Sequence, residues 1–344
     1  MKILLTGANG FVGQALIPKL LQEGHTITAL VRSKLKIGNF PDGVEWIEGD
    51  LLNPDSLPEL SGIDAAYYLV HGLNEESSAF EYFESLAAVN FVNWIRPEAP
   101  SVIYLGALGP RHQLLSSHLR SRHLTGAILG ASGLGVTEFR ASIVLGAGSL
   151  SFEMIKALSE RFPFRPEMPL LSQACQPISL QDLLDYLAMA LNHPHNEHRI
   201  YEIGGADVVT YGEMMDAYAE VAMLKRKKLK LPVVETKVLL KMLDYALPEY
   251  ANAGKKLMQS LEYPTVVNHT EALTSFPEIK PDKIEVAMAQ AEKDSTTSYT
   301  ALWDKDFLKS LLSDKILTQS GLLSPDLIRN LEKMGKLKDI LLNK

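Results

Sequence analysis

The feature that most constrains the fold is a glycine-rich turn near the start of the chain. Residues 6–13 read Thr-Gly-Ala-Asn-Gly-Phe-Val-Gly, directly after a strand pattern and at the start of a helical pattern. Glycines here permit a sharp turn, close approach of a ligand to the backbone and tight packing of helix on strand. Because a helix N-terminus offers free amides and partial positive charge, the turn from Gly7 to Gly13 predicts a pyrophosphate site.

Up to residue 140, short strand patterns alternate with longer helical patterns. The predicted strands are Lys2 to Thr6, Thr26 to Val31, Val44 to Glu48, Ala65 to Leu69, Ser101 to Leu105 and Val136 to Arg140. The predicted helices are Phe11 to Glu23, Ala79 to Ile95 and Leu114 to Ser132. The alternation predicts an α/β fold, a Rossmann-type doubly wound parallel sheet, over residues 1–140.

Beyond residue 140 the alternation loosens, which predicts a smaller α+β substrate lobe over residues 141–294, interleaved with the Rossmann domain. Its predicted elements are helices at Phe152 to Arg161, Leu180 to Leu191, Tyr211 to Met223, Thr236 to Leu247, Tyr250 to Leu261 and Pro281 to Glu292, and a strand at Arg199 to Ile203. Residues 295–344 predict a helical C-terminal extension. The apolar stripe of its last helix, Ser324 to Leu342, either packs on the protein itself or binds a protein partner.

Composition excludes several classes of protein. The net charge of -7 and the pI of about 5.8 argue against nucleic-acid binding, which favours a basic face. The single cysteine, Cys175, cannot form an internal disulfide, so a reducing, cytoplasmic location is expected. No apolar run reaches the roughly 18 residues of a transmembrane helix. The basic run at 225–230 is either a solvated turn or a contact with anionic membrane lipids.

The end of the second predicted strand indicates which dinucleotide binds. NAD-specific proteins place an acidic residue about 20 residues past the glycines, where it binds the ribose hydroxyls. This chain has Arg32-Ser33-Lys34 at that point. Two cations and a hydroxyl suit a 2′-phosphate, so we expect NADP(H) to be preferred over NAD(H).

A second polar position follows the third predicted strand, in Gly49-Asp50-Leu51. Asp50 is placed to accept a hydrogen bond from the adenine amine. It is equally placed to cap a helix over Pro54 to Leu60.

These motifs resemble the extended and atypical branches of the short-chain dehydrogenase/reductase superfamily, including the NmrA-like and epimerase/dehydratase-like proteins and the NADPH-binding accessory subunit of respiratory complex I. The resemblance covers roughly residues 1–292. It rests on the glycine turn, Gly49-Asp50-Leu51, the strand end at 68–72, Gln176-Pro177-Ile178 leading to Asp182, and residues 201–205. It implies a cofactor site made by Gly7, Asn9, Gly10, Phe11, Val12, Gly13, Arg32, Ser33, Asp50, Leu51, Val70, His71 and Arg122.

The chain departs from the superfamily at the catalytic positions. Active members carry a Ser or Thr after the fifth strand and a Tyr-x-x-x-Lys on the next helix, for acid/base catalysis beside a hydride donor. Ala107 occupies the serine position, and the best match to Tyr-x-x-x-Lys pairs His118 with Arg122. At spacing i, i+4 the two share a helix face, which makes them the candidate catalytic pair. The guanidinium is expected to favour a neutral His118, which suits a base.

Two functions remain open on this sequence. One is an NADPH-dependent oxidoreductase acting on a small, apolar molecule. The other is a non-catalytic NADPH-binding protein that senses redox state or binds a partner, which loss of the Ser and Tyr favours. The histidines near His118 have no carboxylate or cysteine at ligand spacing, so no metal site is predicted.

Overall fold

The computed structural model describes residues 1–34, 42–72, 79–110, 115–162, 164–230, 247, 254, 257 and 260–299. The strands in these ranges are β1 (Lys2–Thr6), β2 (Thr26–Val31), β3 (Val44–Glu48), β4 (Ala65–Tyr68), β5 (Ser101–Ala107), β6 (Val136–Ala141), β7 (Val144–Leu145), β8 (Phe164–Glu167), β9 (Ala174–Cys175), β10 (Ile178–Ser179), β11 (His198–Ile203), β12 (Val209–Thr210) and β13 (Lys227–Lys230). The helices are α1 (Phe11–Gln22), α2 (Phe80–Ile95), α3 (Ser117–Gly130), α4 (Leu150–Arg161), α5 (Leu180–Met189), α6 (Tyr211–Val221), α7 (Glu271–Ser275) and α8 (Ile284–Asp294). Single 3-10 turns occur at Pro54–Ser56, Pro169–Ser172 and Ala190–Asn192.

Seven parallel strands form the main sheet, in the order β11-β6-β5-β4-β1-β2-β3. The chain runs outward in one direction through β2 and β3 and in the other through β4, β5, β6 and β11. This reversal at β1 and β4, where Thr6 pairs with Tyr68, opens a crevice at the carboxyl ends of the strands. The predicted Rossmann-type α/β fold with a smaller lobe is confirmed.

One predicted strand has a different place from the one expected. The sequence assigned the strand at Arg199 to Ile203 to the smaller lobe. In the structure, β11 pairs in parallel with β6, with Tyr201 opposite Phe139, and becomes the seventh strand of the main sheet. The backbone of β6 would otherwise be an open edge, which strand addition satisfies. The boundary of the two domains at residue 140 stays a prediction.

Strand β4 shows how the two faces of the sheet are filled. Tyr67 and Tyr68 are neighbours, so their side chains point to opposite faces. The Tyr67 hydroxyl donates to the carbonyl of Leu187 in α5 at 2.8 Å. The Tyr68 ring packs edge-on against Phe91 of α2, with ring centroids 4.9 Å apart. Both tyrosines are fully buried, so the sheet is covered on both faces.

The smaller lobe is built on α4, α6 and α8, which share one apolar core. An ionic cluster around the buried Lys156 joins the three helices. The ammonium of Lys156 in α4 donates to Glu292 of α8 at 2.5 Å and to the Tyr218 hydroxyl of α6 at 3.2 Å. The same ammonium lies 3.1 Å from Glu160. Because a buried cation needs paired anions, this cluster fixes the relative position of the three helices.

The basic run at 225–230 is partly used within the protein. Arg226 donates to the carbonyl of Ser159 at 2.6 Å, at the end of α4. Lys228 pairs with Asp216 at 3.0 Å, and β13 pairs with β8. Membrane contact through this run stays a prediction. In the ranges given above, no helix is long and apolar enough to cross a membrane.

Several of the predicted helices lie largely or wholly outside the residues that the structure describes. Of the helix predicted at Thr236 to Leu247, only Leu247 is described, and it is fully buried. Most of the helix predicted at Tyr250 to Leu261 also lies outside the described residues. The same holds for the two helices predicted in the C-terminal extension, Ala301 to Leu312 and Ser324 to Leu342, and with them for the predicted protein contact.

Candidate active site

A cavity of about 550 Å³ opens at the carboxyl ends of the sheet strands, over the crevice between β1 and β4. It contains every residue predicted to bind the cofactor except Ser33: Gly7, Asn9, Gly10, Phe11, Val12, Gly13, Arg32, Asp50, Leu51, Val70, His71 and Arg122. His118 lines it as well. The structure therefore brings together residues that are more than a hundred positions apart in the chain.

The glycine turn forms one end of this cavity. Gly7 has φ of +73°, a left-handed conformation that favours glycine. A β-carbon on Gly13 would collide with the carbonyl oxygen of Gly7, because α1 packs tightly on the turn. A β-carbon on Gly10 would meet only that same oxygen, at 3.1 Å, and would otherwise project into open space. This cradle beside the first amides of α1 fits a pyrophosphate, since those amides have no acceptor within the helix.

Arg32 and Asp50 border the cavity farther along the strand ends. Arg32 follows β2 directly and is exposed, so its guanidinium is accessible to a ligand. The Asp50 carboxylate accepts from the amide of Leu52 at 2.9 Å, which closes a local turn. The helix predicted over Pro54 to Leu60 is wrong, because only the 3-10 turn Pro54–Ser56 forms. Proline fixes the start of that turn, and the backbone is extended again at Leu57.

The Arg122 guanidinium lies at the floor of the cavity and is already engaged. It donates to the carbonyl of Val70 at 3.2 Å and to that of Leu105, and it stacks on the Tyr104 ring at 4.9 Å. Val70 lies two residues after β4, and Leu105 lies near the carboxyl end of the neighbouring strand β5. Arg122 therefore holds two strand ends together in the described structure, and its contact with a cofactor ribose stays a prediction.

Glu84 of α2 supplies a buried negative charge beside Arg122. Its carboxylate accepts from the amide of Gly72 at 2.6 Å and lies 3.4 Å from His71 Nδ1 and 3.8 Å from Arg122. Burial raises the pKa of Glu84, but the hydrogen bond and charge of His71 lower it, as do Arg122 and the Gly72 amide. The net effect holds the pKa below its usual range. Glu84 is therefore a carboxylate at neutral pH.

The two histidines of the site form a direct pair. His118 Nε2 lies 3.1 Å from His71 Nε2, and His118 Nδ1 lies 3.1 Å from the Ser260 hydroxyl. Ser260 in turn lies 3.0 Å from the hydroxyl of Ser116, the residue that caps α3. A continuous line of polar atoms thus runs from Glu84 through both imidazoles to Ser260.

A second cavity, of about 130 Å³, adjoins the first on the side of the smaller lobe. Its lining is almost entirely apolar and includes Ile155 and Leu158 of α4 and Met215 of α6. The two cavities share six lining residues: Ala107, His118, Ala141, Ser142, Ser151 and Leu257. Among these six residues, His118 is the titratable one. Ser260 lines the apolar cavity but not the larger cavity.

Sequence reasoning missed Glu84, Ser142 and Ser260. Glu84 carries a usable signal, because it lies on the buried stripe of α2 with Phe80 and Phe91, and a charge on an apolar stripe requires a partner. Ser142 follows β6, and its hydroxyl lies 2.6 Å from that of Thr265. Ser260 had no local signal, since it meets His118 from 142 residues away.

Comparison with known proteins supports the cofactor interpretation. Residues 7–96 match a family model described as NAD(P)H-binding. A 2-alkyl-3-oxoalkanoate reductase from Stenotrophomonas maltophilia is 41% identical over 73 residues, which is 20% of this chain and 21% of that protein. An NAD(+)-dependent dTDP-6-deoxy-L-talose 4-dehydrogenase from Aggregatibacter actinomycetemcomitans is 30% identical over 71 residues, 21% of this chain and 26% of that protein. The matches thus span about a fifth to a quarter of these relatives.

Solved structures resemble most of the chain. A nucleoside-diphosphate-sugar epimerase from Staphylococcus aureus has a TM-score of 0.65 at 15% identity, over 84% of this chain and 100% of its own. A UDP-glucose 4-epimerase from Thermotoga maritima has a TM-score of 0.63 at 12% identity, over 85% of this chain and 98% of its own. The chain therefore shares the fold of these epimerases, and residues 7–96 match an NAD(P)H-binding domain, as the glycine turn predicted.

Proposed function

We propose that this protein is an NADPH-dependent oxidoreductase that interconverts a small apolar ketone and the corresponding secondary alcohol. The observation that carries the proposal is the position of His118, which lines both the nucleotide-sized cavity and the apolar cavity. A group that exchanges protons therefore lies where a nicotinamide and an apolar substrate would meet.

The chain's own residues divide the binding work between the two cavities. The turn Gly7 to Gly13 and the start of α1 would hold the pyrophosphate, and Arg32 would bind the 2′-phosphate. Val70, His71 and the Arg122 clamp would border the ribose and nicotinamide. When bound, the cofactor supplies or accepts a hydride, while the protein supplies orientation and the accompanying proton.

The substrate class follows from the second cavity. Walls made by Ile155, Leu158 and Met215 favour an alkyl group, because each buried methylene contributes about 0.8 kcal/mol. The name of one relative, a 2-alkyl-3-oxoalkanoate reductase, also describes an alkyl-substituted ketone. A charged nucleotide sugar, in contrast, would find little polar surface there.

The experiment measures oxidation of NADPH with a series of methyl ketones of increasing chain length. We expect kcat/KM to rise with chain length until the apolar cavity is filled. His118→Ala should lower kcat about 100-fold or more and leave NADPH affinity nearly unchanged. His193→Ala is the matched control, because its ring packs on Phe276 away from both cavities. Unchanged kcat in His118→Ala, or NADPH binding without turnover of any ketone, would contradict the proposal and favour a sensing role.

A further inference from the structure

The hydrogen bonds around His118 restrict how it can move a proton. Its Nε2 faces His71 and its Nδ1 faces Ser260, each at 3.1 Å. Both ring nitrogens are therefore engaged before any substrate binds. A proton that passes through His118 must reach the substrate oxygen through a neighbour, and the Ser260 hydroxyl is the neighbour that lines the apolar cavity.

The ionised state of Glu84 determines the direction of each hydrogen bond in the line from Glu84 to Ser260. An ionised carboxylate only accepts, so His71 Nδ1 must carry a proton toward Glu84. When His71 is neutral, its Nε2 accepts from His118 Nε2–H, and His118 Nδ1 accepts from the Ser260 hydroxyl. When His71 is protonated, its Nε2–H donates to His118, and His118 Nδ1–H donates to Ser260. The line of atoms therefore has two complete hydrogen-bonded states that differ by one proton.

We infer that His71, His118 and Ser260 form a proton relay in which the His71–Glu84 pair stores the proton and Ser260 passes it to the substrate oxygen. This inference rests on the proposed function for its substrate. In ketone reduction, the Ser260 hydroxyl proton bonds to the carbonyl oxygen as hydride reaches the carbonyl carbon. His118 Nδ1–H then replaces the proton on Ser260, and His71 Nε2–H replaces the one on His118. His71 ends neutral, one proton has left the protein, and alcohol oxidation reverses each transfer.

The charges around the pair support a protonated His71. Glu84 from α2 lies 3.4 Å from His71 Nδ1 and favours the imidazolium. Arg122 from α3 opposes it, but its guanidinium is directed to the carbonyls of Val70 and Leu105 and lies 3.8 Å from Glu84. His118, also from α3, lies on the other side of the ring, 3.1 Å from His71 Nε2. The Phe80 ring of α2 packs on His71, with centroids 6.1 Å apart.

In this relay, Ser260 supplies the hydroxyl donor that the usual serine would supply at the position of Ala107. Ala107 lines both cavities but offers no donor to a carbonyl. Ser260 is 8% exposed, and it is held between His118 and Ser116. The relay thus explains how a site without the usual serine and tyrosine still supplies a proton.

The first test needs no substrate. In protein labelled with ¹⁵N-histidine, NMR follows protonation of each imidazole against pH in the wild type and in Glu84→Gln. We expect His71 to lose its proton at lower pH in Glu84→Gln, by about one pH unit or more, because the neutral amide removes the stabilising charge. Since this variant also leaves Arg122 without its carboxylate, His71→Gln is a second variant. In His71→Gln, the ¹⁵N chemical shift of His118 Nε2 should no longer change over the pH range in which His71 loses its proton in the wild type.

The second test is the pH profile of kcat for ketone reduction. In the wild type, kcat should fall as pH rises, because His71 loses the stored proton. In Glu84→Gln, this fall should begin at lower pH. Ser260→Ala should lower kcat about 100-fold, and Ser260→Thr should restore most of it because the hydroxyl is kept. Ser85→Ala is the serine control, since its hydroxyl bonds to Glu81 outside both cavities.

The outcomes separate the two proposals. Turnover with an unchanged pH profile in Glu84→Gln, or full activity in Ser260→Ala, would overturn the relay and leave the oxidoreductase function intact. Absence of turnover on every ketone would overturn the proposed function, while the imidazole titrations would still decide whether His71 and His118 exchange a proton.

Discussion

The carbonyl oxygen of Gly7 accepts a hydrogen bond from the amide of Gly10 at 2.9 Å, which closes the turn at the mouth of the larger cavity. The same oxygen would collide with a β-carbon at Gly13. The position of this oxygen indicates that packing requires glycine at position 13, whereas at position 10 glycine is needed for the approach of a ligand. Gly10 adopts extended backbone angles that any residue tolerates.

Gly10→Val should therefore fold but lose NADPH. Its side chain would project where a pyrophosphate must approach the backbone, and we expect affinity to fall at least about 10-fold, or 1.4 kcal/mol. Calorimetry measures the affinity, and circular dichroism during heating measures folding. Retained NADPH affinity in the folded variant would show that this glycine serves only the turn.

Gly13→Ala provides the matched comparison. Its methyl group would force α1 away from the turn, and we expect the free energy of unfolding to fall by about 1–3 kcal/mol, as for other overpacked sites. Urea unfolding measures the loss. Equal stability of the Gly10 and Gly13 variants would contradict the packing argument.

Much of this site was predictable because its signals are local. The strands predicted before residue 140 match β1 to β6 within two residues at each end. Short apolar runs that alternate with helical patterns were enough to identify these strands. All but one of the predicted cofactor residues line one cavity because parallel strands end at a common edge. Glu84 and Ser260 were not predictable in the same way. Their roles depend on contacts with His71 and His118 that no sequence spacing encodes.

The pairing of β11 with β6 illustrates the same limit within the fold. The strand pattern of residues 199–203 was recognised, but its partner lies about 60 residues earlier, and pairing at that distance leaves no periodic signal. A buried charge is the exception that was available to sequence reasoning. Glu138 interrupts the apolar pattern of β6, and it is paired with His198 at 2.8 Å and with Arg140 at 2.6 Å.

That pairing predicts a pH dependence of stability. Burial raises the pKa of Glu138, but the hydrogen bond of His198 and the charge and hydrogen bond of Arg140 lower it, and the pKa lies below its ordinary value. A depressed folded-state pKa contributes stability above the unfolded-state pKa of about 4.3, and this contribution is lost as pH falls through the folded-state pKa. Glu138→Gln should be less stable than the wild type by about 1–3 kcal/mol at pH 7.

Urea unfolding at a series of pH values checks this prediction. The difference between wild type and Glu138→Gln should narrow as pH falls below about 4.3, because the unfolded wild type then binds a proton at Glu138 that the folded state, with its lower pKa, does not. Glu197→Gln is the control, since its exposed pair with Arg199 should contribute about 0–1 kcal/mol. A difference between wild type and Glu138→Gln that stays constant with pH would mean that Glu138 stabilises the fold through packing alone.

Preference for NADPH over NADH is expected to depend on Arg32. Its exposed guanidinium at the edge of the larger cavity can bind a 2′-phosphate, and a charge-assisted hydrogen bond contributes about 1.5–3 kcal/mol, or roughly 10- to 100-fold. Calorimetry should show Arg32→Ala losing NADPH affinity by this factor while NADH affinity changes little. Arg199→Ala, an exposed arginine that lines neither cavity, is the control. Equal affinities of the wild type for both cofactors would contradict the assignment.

The last prediction concerns the apolar cavity, whose size should set the longest substrate that the protein accepts. Ile155 of α4 lines this cavity and does not line the larger one. Ile155→Trp should fill part of the roughly 130 Å³ and exclude long alkyl chains. We expect kcat/KM for the longest accepted ketone to fall about 10- to 200-fold, the range over which a substrate pocket discriminates against a chain that is one methylene too long. The shortest ketones and NADPH affinity should be little affected.

Overpacking by the new ring is expected to cost about 1–3 kcal/mol of stability, so unfolding is measured alongside activity. Val286→Trp on the exposed side of α8 is the control, because it adds the same side chain to the same lobe outside both cavities. A chain-length profile that stays unchanged in Ile155→Trp would mean that substrate binds elsewhere. His118 would then face an apolar cavity without a role in turnover, and the site would be better interpreted as a cofactor-binding site alone.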